Sequence, residues 1–171
     1  MEEKLTPSEV KHKKVLREIL FKVLYSASMQ CSVDDELLEM IIQDYCERKK
    51  KQVALSETDM VYIKNKAKNI IANTDDIDDI IEHFLIGWKM ERLMLVDLSV
   101  LRMSTYDLLY TNDVPENVVI SEAVILAGLF SDDKAKSFIN GVLGSILKYF
   151  NDHNKELNVV LDKVKESKSF S

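Results

Sequence analysis

The sequence predicts an all-α fold, with two helical subdomains that form a compact bundle. Two observations lead to this prediction. Only 4 glycines and 2 prolines occur in 171 residues, whereas hairpin-rich β folds place these residues at nearly every turn. Apolar residues also recur at three- and four-residue steps in several segments, which is typical of helices with one buried face. The composition, 46% hydrophobic and 30% charged, excludes a wholly disordered chain.

Capping residues mark the helix starts in the first part of the chain. Residues 6–9, Thr-Pro-Ser-Glu, form a capping box with proline at the first helical position. Ser32 with Asp35 predicts the start of a second helix, and Ser56 with Asp59 predicts the start of a third. Basic residues close the second helix, where cations stabilise the carboxyl end; they are Arg48, Lys49, Lys50 and Lys51.

A fourth helix is expected after the polar cluster 73–76, with its end at Gly87. We place the break between an amino-terminal subdomain, residues 1–87, and a carboxyl-terminal subdomain, residues 88–150, at this glycine. The second subdomain is predicted to contain helices at 92–111, at 117–130 and from 131 to 150. The polar tail, residues 151–171, has apolar spacing that fits one more short helix.

The sequence contains none of the common residue patterns that indicate catalysis. The histidines are scattered, and no serine or cysteine lies in a nucleophile elbow. Inward Glu-x-x-His pairs, which a di-metal helical bundle requires, do not occur. The glycines are isolated, so no loop can cradle a phosphate. We therefore expect neither an enzyme nor a cofactor or metal site.

The expected location is the cytoplasm. Cys31 and Cys46 have neither metal-ligand spacing nor a disulfide framework, which favours reduced thiols. The amino terminus is acidic and polar, unlike a signal peptide. No uncharged apolar run approaches the ~20 residues of a membrane helix, so no membrane partner is expected.

Charge is distributed unevenly along the chain. The net charge is −6, yet residues 10–25 carry five cations against the single carboxylate of Glu18. This segment therefore has a charge of +4, and the rest of the chain has −10. A basic stripe on a helix is either an ordinary solvated face or a contact for the phosphates of RNA.

Several short segments of the sequence together resemble the NusB family of transcription antitermination factors. The amino-terminal part has a basic cluster followed by Arg17-Glu18 and Leu24-Tyr25. The family's middle and carboxyl-terminal signatures match, in order, Gly-Trp-x-x-Glu-Arg-Leu at 87–93, Val-Leu-Arg-Met-x-x-Tyr-Asp-Leu at 100–108, a segment at 113–124 that contains Ser-Glu-Ala, and Phe-Ile-Asn-Gly-Val-Leu at 138–143. The resemblance covers about residues 10–150.

This resemblance implies a role in transcription. A NusB-like protein is expected to bind the single-stranded boxA element of RNA with NusE, a small-subunit ribosomal protein, within an antitermination complex on RNA polymerase. It implies that the RNA-binding residues are Lys11, His12, Lys13, Lys14, Arg17, Lys134, Lys136 and Phe138. It places Tyr25 and Asp97 at the NusE surface. When free, the protein is expected to be a monomer or a homodimer.

Two alternatives remain open from the sequence. A similar helical module precedes the catalytic domain of some RNA methyltransferases, so the chain could be an accessory RNA-binding module that acts in trans. It could also be a helical homodimer without an RNA partner.

Overall fold

The computed structural model describes residues 4–30, 33–49 and 54–170. These ranges contain helices and no strand, which confirms the all-α prediction. None of the described helices has the length and hydropathy needed to cross a membrane. The helices are α1 (Pro7–Gln30), α2 (Asp35–Lys49), α3 (Glu57–Ala72), α4 (Thr74–His83), α5 (Leu95–Leu109), α6 (Glu116–Phe130), α7 (Asp133–Asp152) and α8 (Leu157–Ser169), with a 3-10 turn at Met90–Arg92.

Reciprocal caps start α1 and α3, as the sequence predicts. The Thr6 amide donates to Glu9 Oε2 at 2.7 Å, and the Glu9 amide donates to Thr6 Oγ1 at 3.3 Å. In α3 the Ser56 amide donates to Asp59 Oδ2 at 2.9 Å, and the Asp59 amide donates to Ser56 Oγ at 3.1 Å. Each pair satisfies amides that have no partner inside the helix.

The predicted boundaries of α2 and α4 need correction. Asp34 provides the cap of α2, because its Oδ1 accepts from the Leu37 amide at 2.9 Å. Helix α4 begins at Thr74 and ends at His83, before Gly87. Polar residues that looked like a break instead form its first turn, where carboxylates stabilise the helix dipole. Four residues named above lie outside the described ranges: Cys31, Ser32, Lys50 and Lys51.

Contacts divide the chain into two compact units, residues 1–71 and 72–171. In the first unit α1 packs on α2. The core of this unit includes Ile19, Leu20, Val23, Leu38 and Ile63. Cys46 on α2 is partly buried and forms no disulfide within the described residues.

The second unit is built around α5, which contacts α4, α6 and α7. Nearly every residue of α5 is buried, as its density of aliphatic side chains suggests. The polar tail contains α8, which packs on α4 and α7 through Val160, Leu161 and Val164. Because α4 packs on α5 and α8, it belongs to this second unit, and the division falls before Gly87.

The acidic start of α4 is held by basic residues of the same unit. Lys165 Nζ lies 2.7 Å from Asp76 Oδ1. Lys168 Nζ lies 2.7 Å from Asp79 Oδ1 and 2.6 Å from Glu82 Oε2. The acidic cluster is therefore an anchor for α8, in addition to its favourable place at a helix amino terminus.

Candidate nucleic-acid interface

A basic face runs along the first half of α1. Lys11, Lys13 and Lys14 are exposed, and Arg17 is partly buried. The apolar residues of α1 begin to be buried at Ile19. Since residues three and four apart share one face of a helix, Lys13 and Arg17 lie close together.

His12 belongs to this face and is also tied to α3. Its Nε2 lies 3.1 Å from Asp59 Oδ1, and its side chain is 42% exposed. Burial opposes the charged form of Asp59, but hydrogen bonds from Ser56 and His12 outweigh it and lower the pKa of Asp59. His12 is therefore fixed by a carboxylate, while one side of it stays open to solvent.

The single carboxylate of the basic segment is neutralised inside the first unit. Glu18 accepts a hydrogen bond from the Tyr45 hydroxyl at 3.3 Å. Lys22 Nζ and Lys49 Nζ lie 3.8 and 3.6 Å from Glu18 Oε1. Burial, followed by the charge of Glu18, raises the pKa of Tyr45 to about 12. Lys22 therefore belongs to this partly buried cluster and not to the exposed basic face.

A second set of predicted RNA residues lies at the start of α7. Asp132 Oδ1 accepts from the Ala135 amide at 2.8 Å and caps the helix. Lys134 is exposed, whereas Lys136 Nζ pairs with Asp133 Oδ1 at 2.9 Å. The Lys136 chain lies across Gly128, where a Cβ would collide with Lys136 Cε.

Phe138 and Asp97 line the same cavity of about 310 Å³. The ring of Trp88 lies beside Phe138, with 6.3 Å between the ring centroids and 57° between the planes. Lys134 and Arg92 also line this cavity, and both are exposed. We call it the α5–α7 pocket. It brings Lys134 and Phe138, assigned to RNA, together with Asp97, assigned to the protein partner.

Asp97 has an unusual environment for a carboxylate. It is 8% exposed, and burial raises its pKa even though the Ser131 hydroxyl donates a hydrogen bond to it. The charge of Asp132 acts in the same direction as burial. Among the described residues, no hydrogen-bond donor reaches Asp97 Oδ1. A buried acceptor without a donor is costly, so this oxygen is suited to a donor supplied by a ligand.

Tyr25, the other residue assigned to the partner, lies on α1. Its side chain is partly buried, and its ring centroid is 6.3 Å from that of Phe21. A partly exposed tyrosine offers an apolar ring together with a polar hydroxyl, a combination that is enriched at protein interfaces.

The α5–α7 pocket also contains Trp88, Arg92 and Met94, which the sequence pattern did not predict as site residues. Trp88 and Arg92 are part of the family signature Gly-Trp-x-x-Glu-Arg-Leu at 87–93. One signal was available: Trp88 is the single tryptophan of the chain, and it lies in a segment without helical periodicity. In the structure it is 57% exposed, which is unusual for so large an apolar side chain.

Family membership follows from direct comparison. The sequence profile described as "NusB family" matches residues 14–148. The chain belongs to the NusB family. It is 36% identical over 132 residues to the transcription antitermination protein NusB of Acetivibrio thermocellus, an alignment that covers 77% of this chain and 86% of that protein. It is 38% identical over 136 residues to the NusB of Clostridium botulinum, with 77% and 96% covered.

Solved structures agree with this membership. NusB from T. maritima superposes with a TM-score of 0.66 at 29% identity and covers 79% of this chain and 89% of its own. A crystal structure of the antitermination factors NusB and NusE in complex with dsRNA contains a chain that superposes with a TM-score of 0.67 at 27% identity, with 81% and 98% covered. Helix α8 follows the last residue of the family match.

Proposed function

We propose that this protein is a transcription antitermination factor that binds boxA-type RNA together with NusE and acts within an antitermination complex on RNA polymerase. The observation that carries this proposal is the set of exposed lysines on α1 in a chain of the NusB family. Clustered cations bind RNA phosphates and release counterions, which favours binding. Relatives with the same fold are antitermination proteins, and one has been crystallised with NusE and dsRNA.

The proposed RNA contacts follow the positions of the side chains. Lys11, Lys13 and Lys14 provide exposed positive charge, with His12 and Arg17 on the same helix. On the second unit, Lys134 provides charge and Phe138 provides an aromatic surface. Lys136 must break its ion pair with Asp133 before it can contact RNA. Single-stranded RNA needs both phosphate partners and surfaces on which unstacked bases can rest.

The proposed partner is a basic protein of the NusE type. The net charge of this chain is −6, so its overall charge repels RNA. A basic partner cancels that repulsion and adds cationic contacts of its own. We propose Tyr25 as a residue of the partner surface. The family resemblance also assigns Asp97 to it, although this carboxylate is almost fully covered.

The proposed activity is binding without catalysis. The related NusB proteins are named as antitermination factors and carry no enzyme name. We infer a location in the cytoplasm, because nascent bacterial RNA is there. In this reading the chain acts by holding an RNA and a protein partner in one complex.

A paired titration tests the proposal. Labelled boxA RNA and a scrambled control of the same length are titrated with the protein alone and with an equimolar mixture of the protein and NusE, at two salt concentrations. We expect the mixture to bind boxA more tightly than either protein alone, with a gain that shrinks as salt rises. Equal affinities for boxA and scrambled RNA, or no gain from NusE, would contradict the proposed function.

A further inference from the structure

The first two turns of α1 carry the exposed lysines but bury little of their own surface. Seven of the eight residues from Pro7 to Lys14 are exposed, and burial of the apolar residues of α1 begins only at Ile19. The end of a helix frays when few contacts hold it to the rest of the protein. The direction in which these lysines point therefore depends on the contacts that the first turns make with other helices of the unit.

His12 provides a contact of this kind. It is the least exposed of residues 7–14, and its Nε2 lies 3.1 Å from Asp59 Oδ1 on α3. Within the described ranges, no other side chain of residues 7–13 forms a hydrogen bond or an ion pair with a second helix. His12 therefore links the first turns of α1 to α3, in a part of the helix where apolar packing has not yet begun.

The helical repeat places the His12 side chain toward the interior of the first unit. Steps of four, three and four residues connect His12 to Leu16, Ile19 and Val23, so these four residues lie on one face of α1. Ile19 and Val23 are fully buried. The residues directly before and after His12 in the sequence are lysines, and each is rotated by about 100° from it around the helix axis. His12 thus faces α3, while these two lysines project to either side of it.

The carboxylate that holds His12 is itself fixed. Asp59 Oδ2 accepts a hydrogen bond from the Ser56 amide at 2.9 Å as part of the cap of α3, and the Asp59 side chain is 17% exposed. Burial raises the pKa of Asp59, but hydrogen bonds from Ser56 and His12 outweigh it and lower the pKa, so the carboxylate is charged at neutral pH. A charged carboxylate only accepts hydrogen bonds, so His12 Nε2 is the donor.

We propose that His12 is a positioning residue of the RNA-binding surface. Through its hydrogen bond to Asp59 it holds the first turns of α1 against α3, so that Lys11, Lys13 and Lys14 point in fixed directions toward RNA phosphates. In this arrangement the lysines bind the RNA and the imidazole does not contact it. The inference rests on the proposed function, and it gives His12 a different role from the direct RNA contact that the family resemblance implies.

Loss of this link should lower the affinity for RNA without removing a phosphate contact. A frayed helix end must be ordered before all its lysines can bind, and the free energy of ordering is subtracted from the free energy of binding. The bound complex then contains the same ion contacts as before, so the slope of log affinity against log salt stays the same. Removal of a contact between a cation and a phosphate would instead lower this slope by about 0.7 for a single strand.

The experiment measures the affinity of the full-length protein for labelled boxA RNA, with equimolar NusE, over a range of salt concentrations. We expect His12→Ala to weaken binding by about fivefold with an unchanged salt slope. His12→Gln should restore most of the affinity, because the glutamine Nε2 can donate to Asp59. Ser8→Ala is the matched control, since Ser8 is exposed in the same turns and forms no bond to α3 within the described residues. It should change neither the affinity nor the slope.

Hydrogen exchange measures the order of the helix directly. In His12→Ala we expect faster exchange of the amides of residues 11–14 and no change for those of residues 19–23, which lie in the buried part of α1. His12→Gln should exchange like the wild type. The double variant His12→Ala with Asp59→Ala should bind RNA as tightly as Asp59→Ala alone, because the link is already absent. Asp59→Ala also removes the cap of α3, so the glutamine comparison stays decisive if that variant unfolds.

The outcomes separate this inference from the proposed function. Weaker RNA binding by His12→Ala without faster exchange at residues 11–14 would show that the imidazole contacts RNA directly and would overturn the inference, as would a salt slope that falls by about 0.7. Unchanged affinity in His12→Ala, or faster exchange throughout α1, would overturn it as well. Each of these results leaves the antitermination role intact. A wild-type protein that binds no boxA RNA, with or without NusE, would contradict the proposed function and the role of His12 together.

Discussion

Arg102 on α5 forms a bidentate ion pair with Asp78 on α4. Its Nε donates to Asp78 Oδ1 at 2.8 Å, and its Nη2 donates to Asp78 Oδ2 at 2.7 Å. The side chains are only 19% and 26% exposed, so water screens the pair weakly. This contact joins α4 to the central helix of the second unit. The arginine of the family signature Val-Leu-Arg-Met therefore has a charged partner on a neighbouring helix.

Arg102→Ala is expected to destabilise the protein by about 2 kcal/mol, because it leaves Asp78 partly buried without its partner. Urea unfolding followed by circular dichroism measures the change. Arg48→Ala is the matched control: Arg48 pairs with Asp44 at 2.8 Å, but the two side chains are 74% and 45% exposed. An exposed pair of this kind contributes less than ~0.5 kcal/mol. Equal losses in the two variants would show that Arg102 has no special structural role.

The sequence predicted the elements that local chemistry determines. Reciprocal caps define the starts of α1 and α3, and they depend only on residues within one helical turn. The end of α4 was predicted too late because the apolar residues Phe84 and Leu85 continue the periodicity, although the helix stops at His83. The spacing of apolar residues does not predict where a helix ends when no proline or glycine follows immediately.

The candidate site was only partly predictable for a different reason. Lys11, Lys13 and Lys14 lie within one stretch of four residues, so their charge is visible without a structure. The α5–α7 pocket instead joins Trp88, Asp97 and Phe138 from three separate segments. Their proximity depends on the packing of α5 against α7, which residue spacing does not determine. Family resemblance named Asp97 and Phe138, but it assigned them to different partners.

Lys168→Met is expected to weaken the attachment of α8. Lys168 bridges Asp79 and Glu82, and hydrogen bonds to these two carboxylates raise the pKa of its ammonium group. A lysine with a raised pKa stabilises the native state at all pH values below its ordinary pKa, and this contribution is lost only as pH rises through the higher native value. At neutral pH we expect a loss of about 0.5–1 kcal/mol in low salt, since these side chains are partly exposed.

The salt dependence of Lys168→Met distinguishes an ion-pair effect from a packing effect. High salt should reduce the difference between variant and wild type, because exposed charges are screened. Lys148→Met is the control, since Lys148 pairs within α7 with Asp152 and both side chains are more than half exposed. A loss for Lys168→Met that does not change with salt, or that equals the loss for Lys148→Met, would show that the bridge does not anchor α8.

Asp97→Asn is expected to stabilise the protein at neutral pH by about 1 kcal/mol, because the buried carboxylate then carries no charge. Burial raises the pKa of Asp97 above its ordinary value of 3.8. The native state therefore takes up this proton at a higher pH than the unfolded chain, and wild-type stability falls as pH rises through the native pKa. The gain from asparagine should be largest at neutral pH and shrink toward pH 3.8. The free energy of unfolding is measured across this pH range, with the exposed Asp113→Asn as control. A gain that does not change with pH would show that it does not come from the charge of Asp97.

Lys11→Glu combined with Lys13→Glu is expected to abolish boxA binding by the protein alone, while the protein stays folded. Both lysines are exposed on α1, and exposed charge changes cost no more than ~0.5 kcal/mol in most proteins. Each lost phosphate contact lowers the slope of log affinity against log salt by about 0.7 for a single strand. Binding that survives in the presence of NusE should therefore show a slope smaller by about 1.4. The control is Lys68→Glu with Lys163→Glu, which makes the same change in net charge at exposed positions on α3 and α8. If the two double variants lose affinity equally, net charge explains the effect; if neither does, the basic face of α1 is a solvated surface and RNA binds elsewhere.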